Sequence, residues 1–292
     1  MEHTTHTLNT RKADMSEKLL TNRKALMNMV RRIAVEAGNI TLKQFDDAGY
    51  QGADAKADGS PVTLADQEAE AYIEPELKKI LPGIIMVGEE SANERARPDL
   101  SRHEYFWLVD PLDGTKEFIS GSGEYTVNIA LIHNRQPVLG VVYAPVPGDL
   151  YAGYTDPDGT SGALLWKEDS NIEKPIHVRT PPAKGLRVVA SKNHGSGSKL
   201  DQFLNEFKIE KLVKKGSSLK ICVIAAGKAD LYPRFGLTCE WDTAAGHAVL
   251  KAAGGNITKT DGSEFLYGGD DPKFLNPEFI AAGFDWSLAL DE

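Results

Sequence analysis

Six short apolar runs separated by polar loops constrain the middle of this chain more than any other feature. They lie at 84–87, 105–109, 126–132, 138–143, 150–154 and 162–166. Runs this short, bounded by turn residues, have the length of strands rather than helices. Where the connection is short, as at 133–137 or at Asp156-Pro157-Asp158-Gly159, no crossover helix fits, so the neighbours pair antiparallel. Helices are predicted around this block. Leu26, Met29, Val30, Ile33, Ala37 and Ile40 form one stripe over 24–45. The polar, glycine-bearing stretch 46–59 reads as a mobile loop, and Thr63-x-x-Asp66 opens a helix that stops at Pro82-Gly83. The polar segment 168–175 is the predicted domain boundary. Beyond it strands (186–190, 211–214, 230–232) alternate with helices (199–207, 218–226, 243–253), the pattern of an α/β second half. The expected organisation is a flexible leader over 1–23, an N-terminal α+β domain with an antiparallel sheet over 24–175, and a C-terminal α/β domain over 176–292.

Charge and cysteine content narrow the function classes. With 33 basic and 42 acidic residues the net charge is −9, which argues against a protein that grips nucleic acid through a basic face. An anionic small molecule stays admissible, because bound divalent cations reverse the sign of a carboxylate pocket. No apolar run approaches the roughly 20 residues of a membrane span. Two cysteines, Cys222 and Cys239, make neither a disulfide framework nor a zinc site. They read as buried apolar fillers in a protein of the reducing cytoplasm.

Three acidic clusters stand where one element gives way to the next. Gly88-Glu89-Glu90 follows the run 84–87, Asp110-Pro111-Leu112-Asp113-Gly114-Thr115 follows 105–109, and Glu240-Trp241-Asp242 directly precedes the helix 243–253. A carboxylate at the end of a buried strand is costly unless it is paired or holds a cation. In the second cluster Pro111 is expected to fix a turn that brings Asp113 back toward the cation of Asp110. With the Leu112 carbonyl these are hard oxygen ligands suited to Mg²⁺. Gly114-Thr115 would start a short helical turn whose free amides accept a phosphate. Each cluster alone has a plainer explanation, since Asp-x-x-Asp-Gly is common in turns and Asp242 would serve as a helix N-cap. Three acidic termini together need a shared positive charge.

The segments 109–118 (VDPLDGTKEF) and 240–246 (EWDTAAG) resemble the two signature motifs of the inositol monophosphatase superfamily, and Gly88-Glu89-Glu90-Ser91 resembles its preceding acidic motif. Segments 56–63 (KADGSPVT), 216–220 (GSSLK) and 231–236 (LYPRFG) are similar to the 3'(2'),5'-bisphosphate nucleotidase branch. The resemblance spans about Lys24 to the C-terminus. It implies an α+β fold layered as an αβαβα sandwich. It also implies Mg²⁺-dependent, lithium-sensitive removal of the 3'-phosphate from adenosine 3',5'-bisphosphate by metal-activated water. Glu89, Asp110 and the Leu112 carbonyl would hold one ion, Asp110, Asp113 and Asp242 a second, and Asp58 a third where one binds. Asp58 and Thr115 would orient and deprotonate the water, and the Gly114 and Thr115 amides would hold the scissile phosphate. His194, Gly216, Ser217, Lys220 and Arg234 would take the nucleotide and its other phosphate. Glu89, Leu112, Asp113 and Asp242 border the substrate as well. A small-molecule partner in the cytoplasm follows, with peripheral contact to the inner membrane left open.

Other readings share parts of this pattern. An inositol or sugar phosphatase would have the same metal ligands but no use for Lys220, Arg234 and His194. A protein whose acidic cluster is a structural cation site would have no use for Asp58 and Thr115, and detectable phosphate release would exclude nucleotide sensing as the sole role.

Overall fold

The computed structural model describes residues 14–50, 52, 54–55, 61–94, 96–191 and 198–288. Residues 14–21, predicted to belong to a flexible leader, form helix α1, whose Leu19 and Leu20 pack against the first core. The first long helix is α2 (Arg23–Leu42), capped at its start by the Asn22 side chain; Leu26, Val30, Ile33 and Ala37 of the predicted stripe are buried, while Met29 is exposed and Met27 is buried in its stead. A two-stranded ribbon, β1 (Asp54–Ala55) and β2 (Pro61–Val62), leads into α3 (Leu64–Ile80). Asp66 opens α3 as the sequence predicts, its Oδ2 accepting hydrogen bonds from the Thr63 amide (2.8 Å) and hydroxyl (2.6 Å).

The large sheet runs in the order β3 (Ile85–Gly88), β4 (Tyr105–Asp113), β5 (Thr126–His133), β6 (Gln136–Ala144), β7 (Asp149–Thr155), β8 (Ser161–Lys167) and β9 (Ile172–Pro175). It is antiparallel except for its first pair. β3 runs parallel to β4, with α4 (Glu89–Glu94) in the connection between them. The predicted boundary segment contributes β9, which pairs with β8, and there the chain leaves this sheet. The hairpin between β5 and β6 is tighter than 133–137. Asn134 and Arg135 both have positive φ (48° and 66°), the conformation of a two-residue turn.

The second sheet has the order β11-β10-β12-β14-β13 and is mixed. Its members are β10 (Leu186–Ser191), β11 (Ile209–Lys215), β12 (Leu231–Arg234), β13 (Asn256–Lys259) and β14 (Phe279–Ala282). α5 (Thr115–Ile119) follows β4, and α6 (Ser198–Leu204), α7 (Leu219–Ala225) and α8 (Glu240–Ala252) complete the helices.

Three apolar clusters define the layers. Leu26, Val30, Ile33, Ile73 and Leu77 of α2 and α3 meet Trp107, Ile129, Leu139 and Val141 on one face of the large sheet. Ala130, Val142 and Tyr151 on its other face meet Ile221, Ala244, Ala245 and Val249 of α7 and α8, and these pack on Val189, Tyr232 and Phe279 of the second sheet. Leu186, Val188 and Ile280 on that sheet's outer face are covered by Phe203, Leu204 and Trp286. Helix, sheet, helix, sheet, helix is the expected αβαβα sandwich. α8 is the middle layer and approaches the large sheet at backbone distance. A Cβ at Gly140 on β6 would overlap the Ala245 carbonyl, so only glycine fits.

Candidate active site

Asp110 and Asp113 reach one site through a bulge in β4, not through the turn expected at Pro111. Asp110 pairs with Asn128 and Asp113 with Thr126, so three steps on β4 oppose two on β5. In a regular strand, residues three apart point to opposite faces. The extra residue restores the phase, and both carboxylates share a face. The Asp110 side chain closes the bulge by accepting a hydrogen bond from the Leu112 amide (3.0 Å). Leu112 turns its side chain into an apolar cluster with Ala65, Phe118 and Tyr125 below the motif.

Asp242 arrives from the other side, and its position in the helix differs from expectation. α8 begins at Glu240 with Cys239 as N-cap, so Asp242 lies in the first turn and accepts a hydrogen bond from the Cys239 amide (2.8 Å). The same arrangement leaves Cys239 half-buried, whereas Cys222 is fully buried as predicted. Carboxylate oxygens of Asp110, Asp113 and Asp242 lie within 4.8 Å of one another. Glu89 stands at the start of α4, outside that trio but near enough to act on Asp110 and Asp242 electrostatically. Its helix is held by Glu70, which is buried and accepts hydrogen bonds from the Glu90 (2.9 Å) and Ser91 (2.8 Å) amides. The Glu70 carboxyl sits where a Cβ at position 88 would be, which explains Gly88.

Without a cation this cluster cannot be fully ionised. Burial first, then repulsion from Glu89, Asp113 and Asp242, raises the Asp110 pKa well above the usual carboxylate range. Burial, then Asp113 and Glu89, does the same to Asp242. Carboxylates that repel one another at this range, with hard oxygen donors converging, fit a divalent cation.

A cavity of about 170 Å³ opens beside the cluster. Asp113, Gly114, Ser217, Lys220, Arg234 and Asp242 line it, with Tyr232 and Phe279 among its apolar walls. Gly114 is the left-handed N-cap of α5, and the Gly114 and Thr115 amides precede the helix's own hydrogen bonds. Gly216 donates its amide to Glu124 (2.9 Å), and Ser217 takes a positive φ of 41° at the turn into α7. Lys220 sits in the first turn of α7, as predicted, with Nζ 5.7 Å from the Tyr232 ring centroid. Burial lowers its pKa, an effect opposed by the charge of Asp113. Arg234 holds its shape by donating to the carbonyls of Gly236 (3.2 Å) and Leu237 (2.8 Å).

The hydroxyl of Thr115 lies 3.5 Å from Asp66 Oδ1 and 3.4 Å from the Leu112 carbonyl, both at the outer limit of hydrogen bonding. Asp66 was legible as a helix-start residue, and its second contact was not. Asp58 and His194 lie outside the described residues.

The inositol monophosphatase family model matches residues 22–283. The chain belongs to that family. It is 40% identical over 255 residues to an Escherichia coli protein named 3'(2'),5'-bisphosphate nucleotidase CysQ, covering 87% of this chain and 98% of that one. A Buchnera aphidicola protein of the same name is 38% identical over 260 residues, covering 88% and 93%. Among solved structures, CysQ from Bacteroides thetaiotaomicron, described as a bacterial member of the family, is similar with a TM-score of 0.69. It is 33% identical, covering 87% of this chain and 95% of that one. An IMPase of Thermotoga maritima (TM-score 0.70, 21% identity, covering 91% and 96%) shares the fold. The family is metal-dependent, and this chain carries a cluster of three carboxylates.

Proposed function

We propose that this chain is a Mg²⁺-dependent 3'(2'),5'-bisphosphate nucleotidase that cleaves the 3'-phosphate of adenosine 3',5'-bisphosphate, giving AMP and phosphate. The observation that carries the reading is the meeting of two oppositely charged pairs in one cavity, lined by Asp113 and Asp242 and by Lys220 and Arg234. A substrate with one phosphate at the cation and a second at the two basic side chains spans both. A singly phosphorylated sugar leaves the basic pair unused. The names of the similar proteins point the same way.

Asp110, Asp113, Asp242 and Glu89, with the Leu112 carbonyl, are the residues that would hold the metal as two ions, and Asp58 would serve a third where one binds. Bound Mg²⁺ supplies positive charge that offsets the phosphoryl oxygens and lowers the pKa of water. The chain's residues supply position and proton handling. The Gly114 and Thr115 amides orient the scissile phosphate. Thr115 Oγ1 accepts a proton from the attacking water as its own moves toward Asp66 Oδ1, and Asp58 shares in orienting that water. Lys220 and Arg234, with Gly216, Ser217 and His194, fix the nucleotide and its remaining phosphate. No helix among the described residues is long and apolar enough to cross a membrane, and we place the enzyme in the cytoplasm acting on a small-molecule substrate.

Phosphate release from adenosine 3',5'-bisphosphate, inositol 1-phosphate and fructose 1,6-bisphosphate, with and without Mg²⁺ and with lithium added, tests this. The nucleotide is expected to be preferred by at least about tenfold in kcat/KM, a difference of ~1.4 kcal/mol. A comparable preference for either sugar phosphate would overturn the assignment.

A further inference from the structure

Asp113 does not hold its place in the cluster unaided. Its Oδ2 accepts two hydrogen bonds from a single residue, the amide and the hydroxyl of Ser218, the latter at 2.6 Å. Ser218 is 3% exposed and is the N-cap of α7. Its Oγ also lies 2.8 Å from the Asp242 carbonyl oxygen and 2.7 Å from Asn128 Nδ2. A hydroxyl has one proton to give. Two of its three neighbours, the carboxylate and the carbonyl, only accept, so the third has to donate. This requires Asn128 to present its NH₂ to Ser218, although its buried Oδ1 is then left without a hydrogen-bond partner among the described residues. Asn128 stands directly opposite Asp110 in the β4–β5 ladder. Giving its proton to Asp113, the hydroxyl joins β5 to the bulge of β4 that carries Asp110 and Asp113; the Asp242 carbonyl, in the first turn of α8, lies beside it and takes no second proton.

We propose that Ser218, oriented by Asn128, is a positioning residue that pre-assembles the metal ligands. By occupying Oδ2 of Asp113 it leaves Oδ1 to face the cation, and it ties the bulge that carries Asp110 and Asp113 to β5. This rests on the metal-dependent phosphatase reading above. Without the hydroxyl, only the Ser218 amide holds Asp113 against neighbours that repel it, and binding then includes the cost of reordering a looser carboxylate.

The test uses Ser218→Ala, Asn128→Ala, their double variant and Ser218→Thr in the full chain. Two quantities are read: the Mg²⁺ concentration giving half of the maximal rise in Tm without substrate, and phosphate release against Mg²⁺. Loss of a hydrogen bond to a charged group is expected to raise the Mg²⁺ midpoint about tenfold in each single alanine variant. The double variant should be no worse than either single, because both cut the same linkage. kcat at saturating Mg²⁺ should stay within about threefold of the unmodified chain, and Ser218→Thr, which keeps the hydroxyl, should restore the midpoint. If Ser218→Ala does not fold, Asn128→Ala and Ser218→Thr carry the comparison. Variants with a lowered metal-free Tm but an unchanged Mg²⁺ midpoint, or strictly additive losses, would overturn the proposal and leave the functional reading standing. An unmodified chain that shows neither a Mg²⁺-dependent Tm nor phosphate release would overturn that reading and this inference with it.

Discussion

Replacing Asp110 by asparagine should make the metal-free protein more stable while removing its response to Mg²⁺. The ligand oxygens of Asp110, Asp113 and Asp242 lie within 4.8 Å of one another. Two unit charges at that separation repel by about 3.5 kcal/mol at an effective dielectric of 20. Asp110 faces two such neighbours, with Glu89 adding to them. The repulsion has a ceiling, since a carboxyl can take up a proton instead. From an ordinary pKa near 3.9, doing so at pH 7.5 costs about 5 kcal/mol. Asparagine removes the charge and keeps an oxygen for the Leu112 amide, so the hydrogen bond that closes the bulge survives. The expected gain is about 2–4 kcal/mol, or a rise of roughly 4–8 °C in Tm for a chain of this size. Thermal denaturation in EDTA measures it, and a Mg²⁺ titration of the same sample should raise the unmodified protein's Tm but not the variant's. Phosphate release should vanish alongside. A variant that melts lower in EDTA, or keeps the Mg²⁺ response, would refute the claim that these carboxylates crowd one another around a cation.

The raised pKa values of Asp110 and Asp242 predict an inverted pH dependence without metal. The folded chain holds protons that the unfolded chain releases near pH 4, so stability should fall as pH rises from there through the elevated folded values. In EDTA, Tm should therefore climb between pH 8 and pH 5, and in saturating Mg²⁺ the trend should reverse because the cation needs ionised ligands. A metal-free Tm that drops over that interval would contradict it. Lys220→Met keeps the bulk of the side chain and deletes its charge. KM for adenosine 3',5'-bisphosphate should rise about tenfold or more with little change for inositol 1-phosphate, and equal effects on both would remove Lys220 from the second phosphate. Gly140→Ala forces α8 off β6, since the new Cβ meets the Ala245 carbonyl. A loss of about 3 kcal/mol is expected in denaturant unfolding, and an unchanged midpoint would refute the close approach.

What was legible in the sequence followed from periodicity and local chemistry. The stripe of α2, the capping box at Thr63 and Asp66, and the central strands are all decided by neighbours within a few residues, and they lie where predicted to within a few positions. The acidic residues at element ends were visible for the same reason. Less legible was anything set by partners distant in the chain. Pro111 reads as a turn because proline lacks an amide proton, yet β5 on one side keeps the segment in the sheet as a bulge. Asp242 reads as a cap because it precedes an alanine-rich run. The helix starts three residues earlier, at Glu240, which is buried and accepts hydrogen bonds from the Gly268 and Gly269 amides. Strands β13 and β14 gave no clear pattern, being four residues each with companions far away in sequence. Ser218 was overlooked because nothing local distinguishes the second serine of a Gly-Ser-Ser turn. Its three side-chain partners lie 24 to 105 positions away.

The bulge in β4 works by parity. Between Asp110 and Asp113 the identity of the intervening residues can drift as long as two of them remain. Deleting one would abolish the bulge: the two aspartates, then two apart, would still share a face of a regular strand, but the clasp of Asp110 on the Leu112 amide would be lost, and no change of side chain could restore it. The segment should therefore tolerate substitution far better than a frame of different length, and a library varying both would separate the two at once.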